Sequence, residues 1–440
     1  MTSPAADSDA PTSVRVALLG CGNVGGALAE LLVTRQDDIA ARTGIHFQLV
    51  GVAVADANRP RPATIPAALF VTDGAALAVR PDVDIVVELI GGIHPARELI
   101  ESALRAGKPV VTANKAVLAA SGAELAEVAA SHGVDLLYEA AVAGAIPVIR
   151  PLRQSLAGEQ IVRVMGIVNG TTNFILTRME EDGVDFDDAL AEAQRLGMAE
   201  RDPTADVEGH DAAAKAAILA ALAFGSDVVD ADVHREGITG IRAADVAYAN
   251  RLGYSVKLLA VAELVDGGPE LSVRVHPAMV PKGHPLASVR GAFNAVFIEG
   301  AASGQLMLYG RGAGGGPTAS AVLGDLVDAA RNQRAGAPAP APKRTSIALR
   351  PQPELQSAFY LSMDVADRPG VLAAVAKVFG DHQVSIRAME QVGLFDEARL
   401  IFLTHQAREG DLMATIDELR LLQAVDRVSG VLRVIAEAEA

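Results

Sequence analysis

One stretch of the sequence, residues 197–215, gathers the side chains best suited to acid–base chemistry. It reads GMAERDPTADVEGHDAAAK and lies within sequence that is otherwise rich in alanine and leucine. Pro203 and Gly209 predict an ordered loop that leads into a helix. On that helix Asp211 and Lys215 are four residues apart, so they share one face and the carboxylate can hold the ammonium in place.

The role of this lysine depends on whether it is buried. Pairs at this spacing are usually surface salt bridges, and that is the alternative interpretation of Asp211 and Lys215. However, the helix beyond Lys215 is apolar nearly all round, which is typical of a buried helix. A buried lysine needs a partner or a chemical role, and Glu200 and Asp206 in the preceding loop could approach it.

A glycine-rich turn near the N-terminus predicts a second site. The strand-like run VRVALLG is followed by GCGNVGG and then by a helical pattern, which is the order of a Rossmann opening. Gly20 permits the tight turn, Gly22 lets a pyrophosphate approach the backbone, and Gly25 lets the helix pack on the strand. Amides at the helix start, including those of Asn23 and Val24, can bind phosphate, so the pattern predicts a dinucleotide cofactor.

The choice between NAD and NADP depends on the end of the next strand, FQLVGVAVAD. Asp56 could bind the adenosine ribose of NAD, whereas Arg59 and Arg61 could clamp the additional phosphate of NADP. The sequence leaves both cofactors open, with NADP favoured. Lys115, in the sequence TANK at the end of a later strand, lies where ligands collect on such sheets, although a solvated lysine is the alternative.

Alternating strand and helix patterns predict an α/β protein that begins with a Rossmann domain. This domain, with its doubly wound parallel sheet, is expected to occupy residues 13–140. A helix over residues 317–332 is expected to pack back on it, after a glycine-rich turn and with Thr318 or Ser320 as its cap.

The rest of the chain predicts two further domains and a linker. Residues 141–316 predict an α+β domain for substrate binding and dimerisation, in which RVMGIVNGTTNFILTRM is interpreted as strands around an Asn-Gly turn. An alanine- and proline-rich stretch, 333–354, predicts a semi-rigid linker. Residues 355–440 predict a ferredoxin-like domain of order βαββαβ.

Composition excludes several classes of partner. The 440 residues carry a formal net charge of -16, which disfavours nucleic acid and anionic membrane. No apolar run is long enough and free enough of charge to predict a membrane span. The polar N-terminus lacks the features of a secretory signal and Cys21 is the only cysteine, so the expected location is the cytoplasm.

Taken in order, the motifs resemble those of homoserine dehydrogenase. They are GCGNVGG, TANK, EAAVAGAIPVI, NGTTNFIL, ERDPTADVEGHDAAAK and GRGAGGGPTAS, and they extend from Val14 to about Asn332. The C-terminal part resembles an ACT domain, with DRPGVLA as its signature. This combination, with no kinase ahead of it, resembles the monofunctional, feedback-regulated form of the enzyme. The resemblance implies reversible NAD(P)-dependent interconversion of L-homoserine and L-aspartate 4-semialdehyde, a branch step of threonine and methionine biosynthesis, in a homodimer or homotetramer.

The resemblance also implies roles for the residues of the 197–215 stretch. Lys215 matches the family's acid/base lysine, which would exchange a proton with the substrate oxygen as hydride moves. Desolvation would lower the pKa of such a lysine toward a useful value. Asp211 would bind substrate and orient the lysine, and Glu200 would pair with the substrate ammonium. Asp206 is a supporting candidate.

Cofactor and cation sites are implied in the same way. Lys115 matches a residue where cofactor and substrate meet, and Gly197 and Gly312 match backbone contacts to the cofactor. The segment EAAVAGAI resembles a loop that binds a monovalent cation, expected to be sodium, through oxygen ligands. These ligands would be the Glu139 carboxylate and the carbonyls of Val142, Gly144 and Ile146. The alternative is a hinge loop that binds no ion.

The ACT-like region predicts an amino-acid effector. Asp367, Pro369 and Gly370 lie at a predicted helix start, where free amides can hold a carboxylate. By family analogy the effector is expected to be threonine, and the alternative is a domain that only dimerises. Two rival functions for the whole chain are a Rossmann dehydrogenase for another small amino acid and a non-enzymatic sensor of NAD(P) and amino acid. Neither explains the carboxylates and the lysine gathered in the 197–215 stretch.

Overall fold

The computed structural model describes residues 12–57, 59, 61, 64–339, 346–394 and 397–436. The chain forms two compact units, each made from two separate parts of the sequence. The first unit comprises Met1–Gly158 and Gly310–Arg344, and the second comprises Glu159–Tyr309 and Thr345–Ala440. Among the described residues no helix combines the length and the apolar character required to span a bilayer.

A doubly wound parallel sheet forms the core of the first unit, as predicted. Its strands are β1 (Thr12–Leu19), β2 (Ile45–Ala53), β3 (Phe70–Val71), β4 (Ile85–Glu88), β5 (Val110–Thr112) and β6 (Leu136–Leu137). Its helices are α1 (Asn23–Thr34), α2 (Gln36–Thr43), α3 (Gly74–Ala78), α4 (Ala96–Arg105) and α5 (Lys115–Ser131). The strand order β3-β2-β1-β4-β5-β6 places the switch point between β1 and β4, and ligands bind at the carboxyl ends of such strands.

The first part of the second unit is built on a largely antiparallel sheet. Its strands are β7 (Ile161–Ile167), β8 (His234–Arg235), β9 (Tyr254–Leu264), β10 (Glu270–Pro281), β11 (Phe293–Gly300) and β12 (Gly304–Arg311), the last two residues of which belong to the first unit. Its helices are α6 (Gly170–Asp182), α7 (Phe186–Arg195), α8 (Thr204–Val207), α9 (His210–Phe224) and α10 (Ala243–Arg251). Strands β11, β7, β9 and β10 are antiparallel neighbours in that order, and the predicted α+β character is confirmed.

One predicted strand of this unit is a helix. The Asn-Gly pair at 169–170 was expected to be a turn between strands, but only β7 precedes it and α6 follows it. Asn169 Oδ1 accepts a hydrogen bond from the Thr172 amide at 2.9 Å and so caps the helix. Since α6 is buried on nearly every side, its sequence lacks the amphipathic period that would distinguish a helix from a strand.

Helix α11 (Gly315–Ala335) belongs to the first unit and packs against α1. The predicted cap is wrong. Gly314, with φ 123°, is the N-cap residue, and no side chain caps the helix. Thr318 and Ser320 both lie inside α11, because the helix already begins at Gly315, where it lies against the start of α1.

The C-terminal part of the second unit has the predicted βαββαβ order with two short additional strands. Its elements are β13 (Ala348–Leu349), β14 (Gln356–Ala366), α12 (Val371–Asp381), β15 (Ile386–Leu394), β16 (Glu397–Thr404), β17 (Ala407–Arg408), α13 (Glu409–Leu419) and β18 (Val425–Val434). The two helices pack their apolar faces on an antiparallel sheet of order β18-β14-β16-β15. Of the predicted linker, 333–354, the first residues continue α11 and residues 340–345 lie outside the described residues.

The two sheets of the second unit are joined where β10 meets β18. The strands are parallel there, with Ala278 opposite Arg433 and Met279 opposite Val434. The Ile435 amide adds a hydrogen bond to the Met279 carbonyl at 3.0 Å. The last strand of the chain therefore continues the sheet that supports α9.

Candidate active site

Lys215 lies near the start of α9, a helix that is buried along most of its length. Gly209, with φ 80°, precedes this helix and Gly225, with φ 66°, follows it, so both ends use left-handed backbone that glycine adopts without strain. Lys215 is only 8% exposed. Its predicted burial is confirmed and the surface salt bridge is wrong, because a helix with alanine and leucine on almost every side must be enclosed.

The ammonium of Lys215 has two buried hydrogen-bond acceptors. Its Nζ donates to the Val168 carbonyl at 2.6 Å and to Asp211 Oδ2 at 2.7 Å. The side chains of Lys215 and Asp211 are 11% and 6% exposed, so their ion pair is largely removed from water. Each charge then depends on the other, because an isolated buried charge is strongly destabilising. The pair fixes the amine nitrogen at one point of the second unit.

Asn169 joins the two acids near this lysine, and the sequence analysis missed it. Its Nδ2 donates to Asp206 Oδ1 at 2.7 Å and to Asp211 Oδ2 at 2.8 Å, while its Oδ1 caps α6. Val168 and Asn169 follow directly after β7, so one backbone carbonyl and one side-chain amide organise the lysine and both carboxylates. The available signal was an asparagine at a helix N-cap, which the strand interpretation of NFILTRM concealed.

The loop before α9 holds the other predicted substrate residues, but the structure does not bring all of them together. Asp206 lies in α8, a single helical turn that the sequence analysis did not expect. Glu200 is exposed, and the hydrogen bonds that join Asn169 to Asp206 and Asp211, and Asp211 to Lys215, do not include its carboxylate. Gly197 is exposed, with φ 71°, just after α7.

The predicted dinucleotide turn lies between β1 and α1. A Cβ atom on Gly20 would lie 2.6 Å from the Leu89 carbonyl oxygen, and one on Gly25 would lie 2.2 Å from the Gly20 carbonyl oxygen, so both positions require glycine. A Cβ atom on Gly22 would meet nothing within 4 Å, so the backbone there is open to a ligand. Gly22 caps α1 without a side-chain bond, and the first amides of the helix, from Asn23 onward, have no intrahelical acceptor.

A second helix N-terminus lies beside the first. A Cβ atom on Gly315 would lie 2.9 Å from the Asn23 carbonyl oxygen, so α11 begins against the start of α1. Gly312 lies just before it, and a Cβ atom on Gly144 would be 2.4 Å from the Gly312 carbonyl oxygen. Two neighbouring helix N-termini favour an anion, because their amides and dipoles are both positive there. The residues of this region therefore fit the pyrophosphate of a dinucleotide.

Of the two arginines predicted to bind the cofactor, Arg61 is fixed by several contacts, whereas Arg59 is exposed. The Arg61 guanidinium donates to the carbonyls of Asp56 at 2.6 Å and Arg59 at 2.9 Å, and it lies 5.0 Å from the centre of the Phe70 ring. Burial raises the pKa of the Cys21 thiol, and the charge of Arg61 together with a hydrogen bond from it opposes that rise. Since Cys21 is part of the dinucleotide turn, the Arg61 guanidinium reaches that turn. A guanidinium fixed beside this turn is suited to a 2′-phosphate.

Lys115 is the first residue of α5, directly beyond the carboxyl end of β5. Asn114 caps that helix by accepting a hydrogen bond from the Val117 amide at 3.3 Å. Glu88, fully buried at the end of β4, accepts hydrogen bonds from Thr112 Oγ1 at 2.6 Å and Asn114 Nδ2 at 3.4 Å. Glu88 thereby joins the ends of β4 and β5 and positions the start of α5. The sequence analysis missed it, because a carboxylate that ends an apolar strand forms no motif.

The loop predicted to bind a cation is well ordered by its own carboxylate. Glu139 is 3% exposed and accepts the backbone amides of residues 149–150, each at 2.8 Å. Residues 143–144 both have left-handed backbone, with φ 55° and 58°, and this changes the direction in which successive carbonyl groups of the loop point. Val142 and Ile146, on either side of them, are buried. Across the described residues no three His, Cys, Asp or Glu side chains are grouped as metal ligands. A cation here would depend on backbone carbonyls beside one carboxylate, and such oxygen ligands fit a hard cation.

Three parts of the chain match known protein families. Residues 20–139 match the homoserine dehydrogenase NAD binding domain, residues 147–327 match homoserine dehydrogenase, and residues 359–420 match the ACT domain. Homoserine dehydrogenase from Corynebacterium glutamicum is 51% identical over 442 residues, which cover 98% of this chain and 99% of that protein. Homoserine dehydrogenase from Mycobacterium tuberculosis is 51% identical over 430 residues, which cover 96% of this chain and 97% of that protein.

Solved structures of the same family resemble this chain in fold. The crystal structure of a homoserine dehydrogenase from Thiobacillus denitrificans has a TM-score of 0.90 and 40% identity, and the match covers 96% of this chain and 98% of that one. A hyperthermophilic archaeal homoserine dehydrogenase in complex with NADPH has a TM-score of 0.61 and 28% identity, with 73% of this chain and 98% of that one covered.

Proposed function

Because this chain belongs to the homoserine dehydrogenase family of NAD(P)-dependent oxidoreductases and carries an ACT domain, we propose that it interconverts L-homoserine and L-aspartate 4-semialdehyde. The observation that carries the proposal is the buried pair of Lys215 and Asp211. Oxidation of homoserine removes a hydride from the carbon that bears its side-chain hydroxyl and a proton from the hydroxyl oxygen. A bound nicotinamide supplies the hydride acceptor, or the hydride donor in the reverse direction.

Lys215 is proposed to move the proton. In oxidation its neutral amine accepts the hydroxyl proton, and in reduction its ammonium donates a proton to the aldehyde oxygen as that oxygen gains negative charge. The Val168 carbonyl and Asp211 hold the nitrogen in place, and Asn169 holds Asp211 in turn. A fixed, largely dry amine loses less to solvent reorganisation than an exposed one during proton transfer.

The substrate ammonium is proposed to bind to carboxylates of the loop before α9. Glu200 is the first candidate, because it is exposed and its carboxylate takes no part in the hydrogen bonds that join Asn169, Asp211 and Lys215. Asp211 is proposed to bind substrate as well as to orient the lysine, and Asp206 supports it through Asn169.

The cofactor is proposed to bind the dinucleotide turn through the residues already predicted from the sequence. Its phosphates would accept hydrogen bonds from the glycine turn and the start of α1, and Gly312, Gly197 and Lys115 would supply further contacts. The set at the turn is Gly20, Gly22, Asn23, Val24 and Gly25, followed by Arg59 and Arg61.

Absorbance at the reduced-nicotinamide band tests the activity directly. L-Homoserine with NADP or NAD is expected to increase this absorbance, whereas L-serine and L-threonine are not. Equal rates with the other hydroxy amino acids would favour a different small-substrate dehydrogenase. No change with any of them, together with measurable cofactor binding, would favour a non-enzymatic sensor.

NADP is the proposed preferred cofactor, with Arg61 as the residue that selects it. Arg61→Ala is expected to raise the KM for NADPH about ten- to a hundredfold, because a hydrogen-bonded charge pair with the 2′-phosphate is lost. The KM for NADH, measured on the same preparation, is the internal control and should change little. An equal rise in both KM values would show that Arg61 only supports the loop whose carbonyls it binds.

A monovalent cation, expected to be sodium, is proposed to bind the loop of Glu139, Val142, Gly144 and Ile146. The melting temperature of the protein should then be higher in sodium chloride than in choline chloride at the same ionic strength, by about 2–4 °C for each kcal/mol of binding. Glu139→Gln should abolish the difference, and Glu124→Gln, at an exposed acid of the same unit, should preserve it. Identical melting temperatures of the wild type in the two salts would favour a hinge loop without an ion.

The wider assignments remain proposals that follow from the family. They are a cytoplasmic role in threonine and methionine biosynthesis, feedback regulation by threonine at the ACT domain, and assembly as a homodimer or homotetramer. The proposed domains are 13–140 with the helix 317–332, then 141–316, the linker 333–354, and 355–440.

A further inference from the structure

An arginine of the ACT domain lies between two carboxylates from different parts of the second unit. Arg433 in β18 donates from Nε to Glu409 Oε1 at 2.9 Å and from Nη2 to Glu409 Oε2 at 2.6 Å. Its Nη1 donates to Glu236 Oε2 at 2.9 Å, and its Nη2 is 2.8 Å from Glu236 Oε1. Arg433 is 5% exposed and Glu409 is 1% exposed. We call these three residues the Arg433 bridge.

The Arg433 bridge is charged throughout. Burial alone would raise the pKa of each acid. Hydrogen bonds from His234 and Arg433 lower the pKa of Glu236 by more than burial raises it, and hydrogen bonds from Arg433 do the same for Glu409. Both pKa values therefore lie below the ordinary range. Two-point arginine–carboxylate pairs are directional as well as strong. The bridge therefore fixes Glu236 relative to the ACT domain.

On the other side, Glu236 begins a segment that packs on the loop before α9. A Cβ atom on Gly237 would lie 2.4 Å from the Val207 carbonyl oxygen and 2.7 Å from the Glu208 Cα, so this approach requires glycine. The Ile238 amide donates to the same Val207 carbonyl at 2.8 Å. Segment 236–239 thus contacts residues 207–208 through backbone atoms that have little freedom to adjust.

Residues 207–209 connect two parts of the proposed active site. Asp206, which accepts the Asn169 amide, immediately precedes them, and α9 with Asp211 and Lys215 immediately follows. A shift of segment 236–239 would therefore move Asp206 or the first turn of α9. Arg433 is thus connected to the loop of Asp206 by the ion pair with Glu236, by the Ile238–Val207 backbone hydrogen bond and by the close contact at Gly237, which leaves no space for a Cβ atom.

We propose that Arg433 is a positioning residue for the reaction: through Glu236 it holds the loop that carries Asp206, and it passes the state of the ACT domain to the substrate site. This inference rests on the proposed function and names the route of its regulation. It assigns to the ACT domain a contribution to substrate binding even without an effector.

The test compares two matched carboxylate substitutions that each weaken one arginine pair between the ACT domain and the rest of the unit. Glu236→Gln weakens the Arg433 bridge and leaves the buried Arg433–Glu409 pair in place. Glu390→Gln, the control, weakens the pair of Glu390 with Arg251 on α10, and neither residue belongs to segment 236–239 or to residues 207–209. For each variant, KM for homoserine, KM for NADP, kcat, melting temperature and inhibition by threonine are measured on the full chain.

Glu236→Gln is expected to raise the KM for homoserine by roughly three- to tenfold and to weaken threonine inhibition by a similar factor. Its KM for NADP and its melting temperature should match those of Glu390→Gln. Arg433→Lys, which keeps the charge but cannot form two two-point pairs, should reproduce the homoserine effect.

Two results would overturn the proposal. One is a Glu236→Gln enzyme whose homoserine KM and threonine response equal those of Glu390→Gln. The other is an equal rise in the KM for homoserine and for NADP, which would indicate a general loosening of the fold. A wild-type protein without homoserine activity would instead refute the proposed function. If the wild type is active but insensitive to threonine, the homoserine KM comparison alone decides.

Discussion

Replacing Lys215 with methionine is expected to lower kcat for homoserine oxidation by about two to four orders of magnitude, because the hydroxyl loses its proton acceptor. Methionine keeps most of the side-chain volume at a position that is 8% exposed, so packing should change little. Affinity for NADPH, measured by fluorescence titration, should stay near the wild-type value, because the dinucleotide turn belongs to the other unit.

Lys257 provides a matched control for this substitution. It is also buried in the second unit, 1% exposed, and its Nζ donates to the Val289 carbonyl at 2.6 Å. Burial lowers the pKa of Lys257 to about 8, so it shares the desolvated character of Lys215 without belonging to the proposed site. Lys257→Met should therefore retain most of the turnover. Similar losses in both variants would mean that a buried lysine is needed for structure, and the acid/base role of Lys215 would be wrong.

Asp211→Ala is expected to lower both stability and turnover. Without the carboxylate, the ammonium of Lys215 keeps the Val168 carbonyl but loses its ion pair with Asp211. Breaking one half of a buried ion pair costs about 3–5 kcal/mol of folding free energy, so the melting temperature of the protein should fall. Turnover should fall as well, since the amine is no longer held beside the substrate.

The double variant Asp211→Ala/Lys215→Met separates the charge effect from lost packing. Its melting temperature should lie above the value that the two single losses predict by addition, because each single loss already includes the interaction between the two residues. Purely additive losses would contradict the coupling of the pair that the 2.7 Å contact indicates.

The features that depend on neighbouring residues could be predicted from the sequence. The dinucleotide turn is one, because Gly20 and Gly25 are required by contacts within a strand–turn–helix unit that the motif defines. The placement of Asp211 and Lys215 on one face of a buried helix is another, since it follows from their spacing and from the apolar residues around them.

The features that depend on contacts far apart in the chain could not be predicted. Asn169 meets Asp206 and Asp211 across 37 and 42 residues, and no local pattern connects these positions. Glu88 binds Thr112 across 24 residues for the same reason. The start of α11 was misplaced because glycine is a poor helix former, and only its close approach to α1 explains why the helix begins there.

The pairing of β10 with β18 means that the C-terminal domain also protects the rest of the chain from aggregation. If translation stopped at the linker, backbone N–H and C=O groups at residues 278–279 would lose their partner strand. An uncovered strand edge pairs readily with other molecules. A chain shortened at the linker is therefore expected to self-associate, so the C-terminal domain is better altered by substitutions that keep its last strand than by its removal.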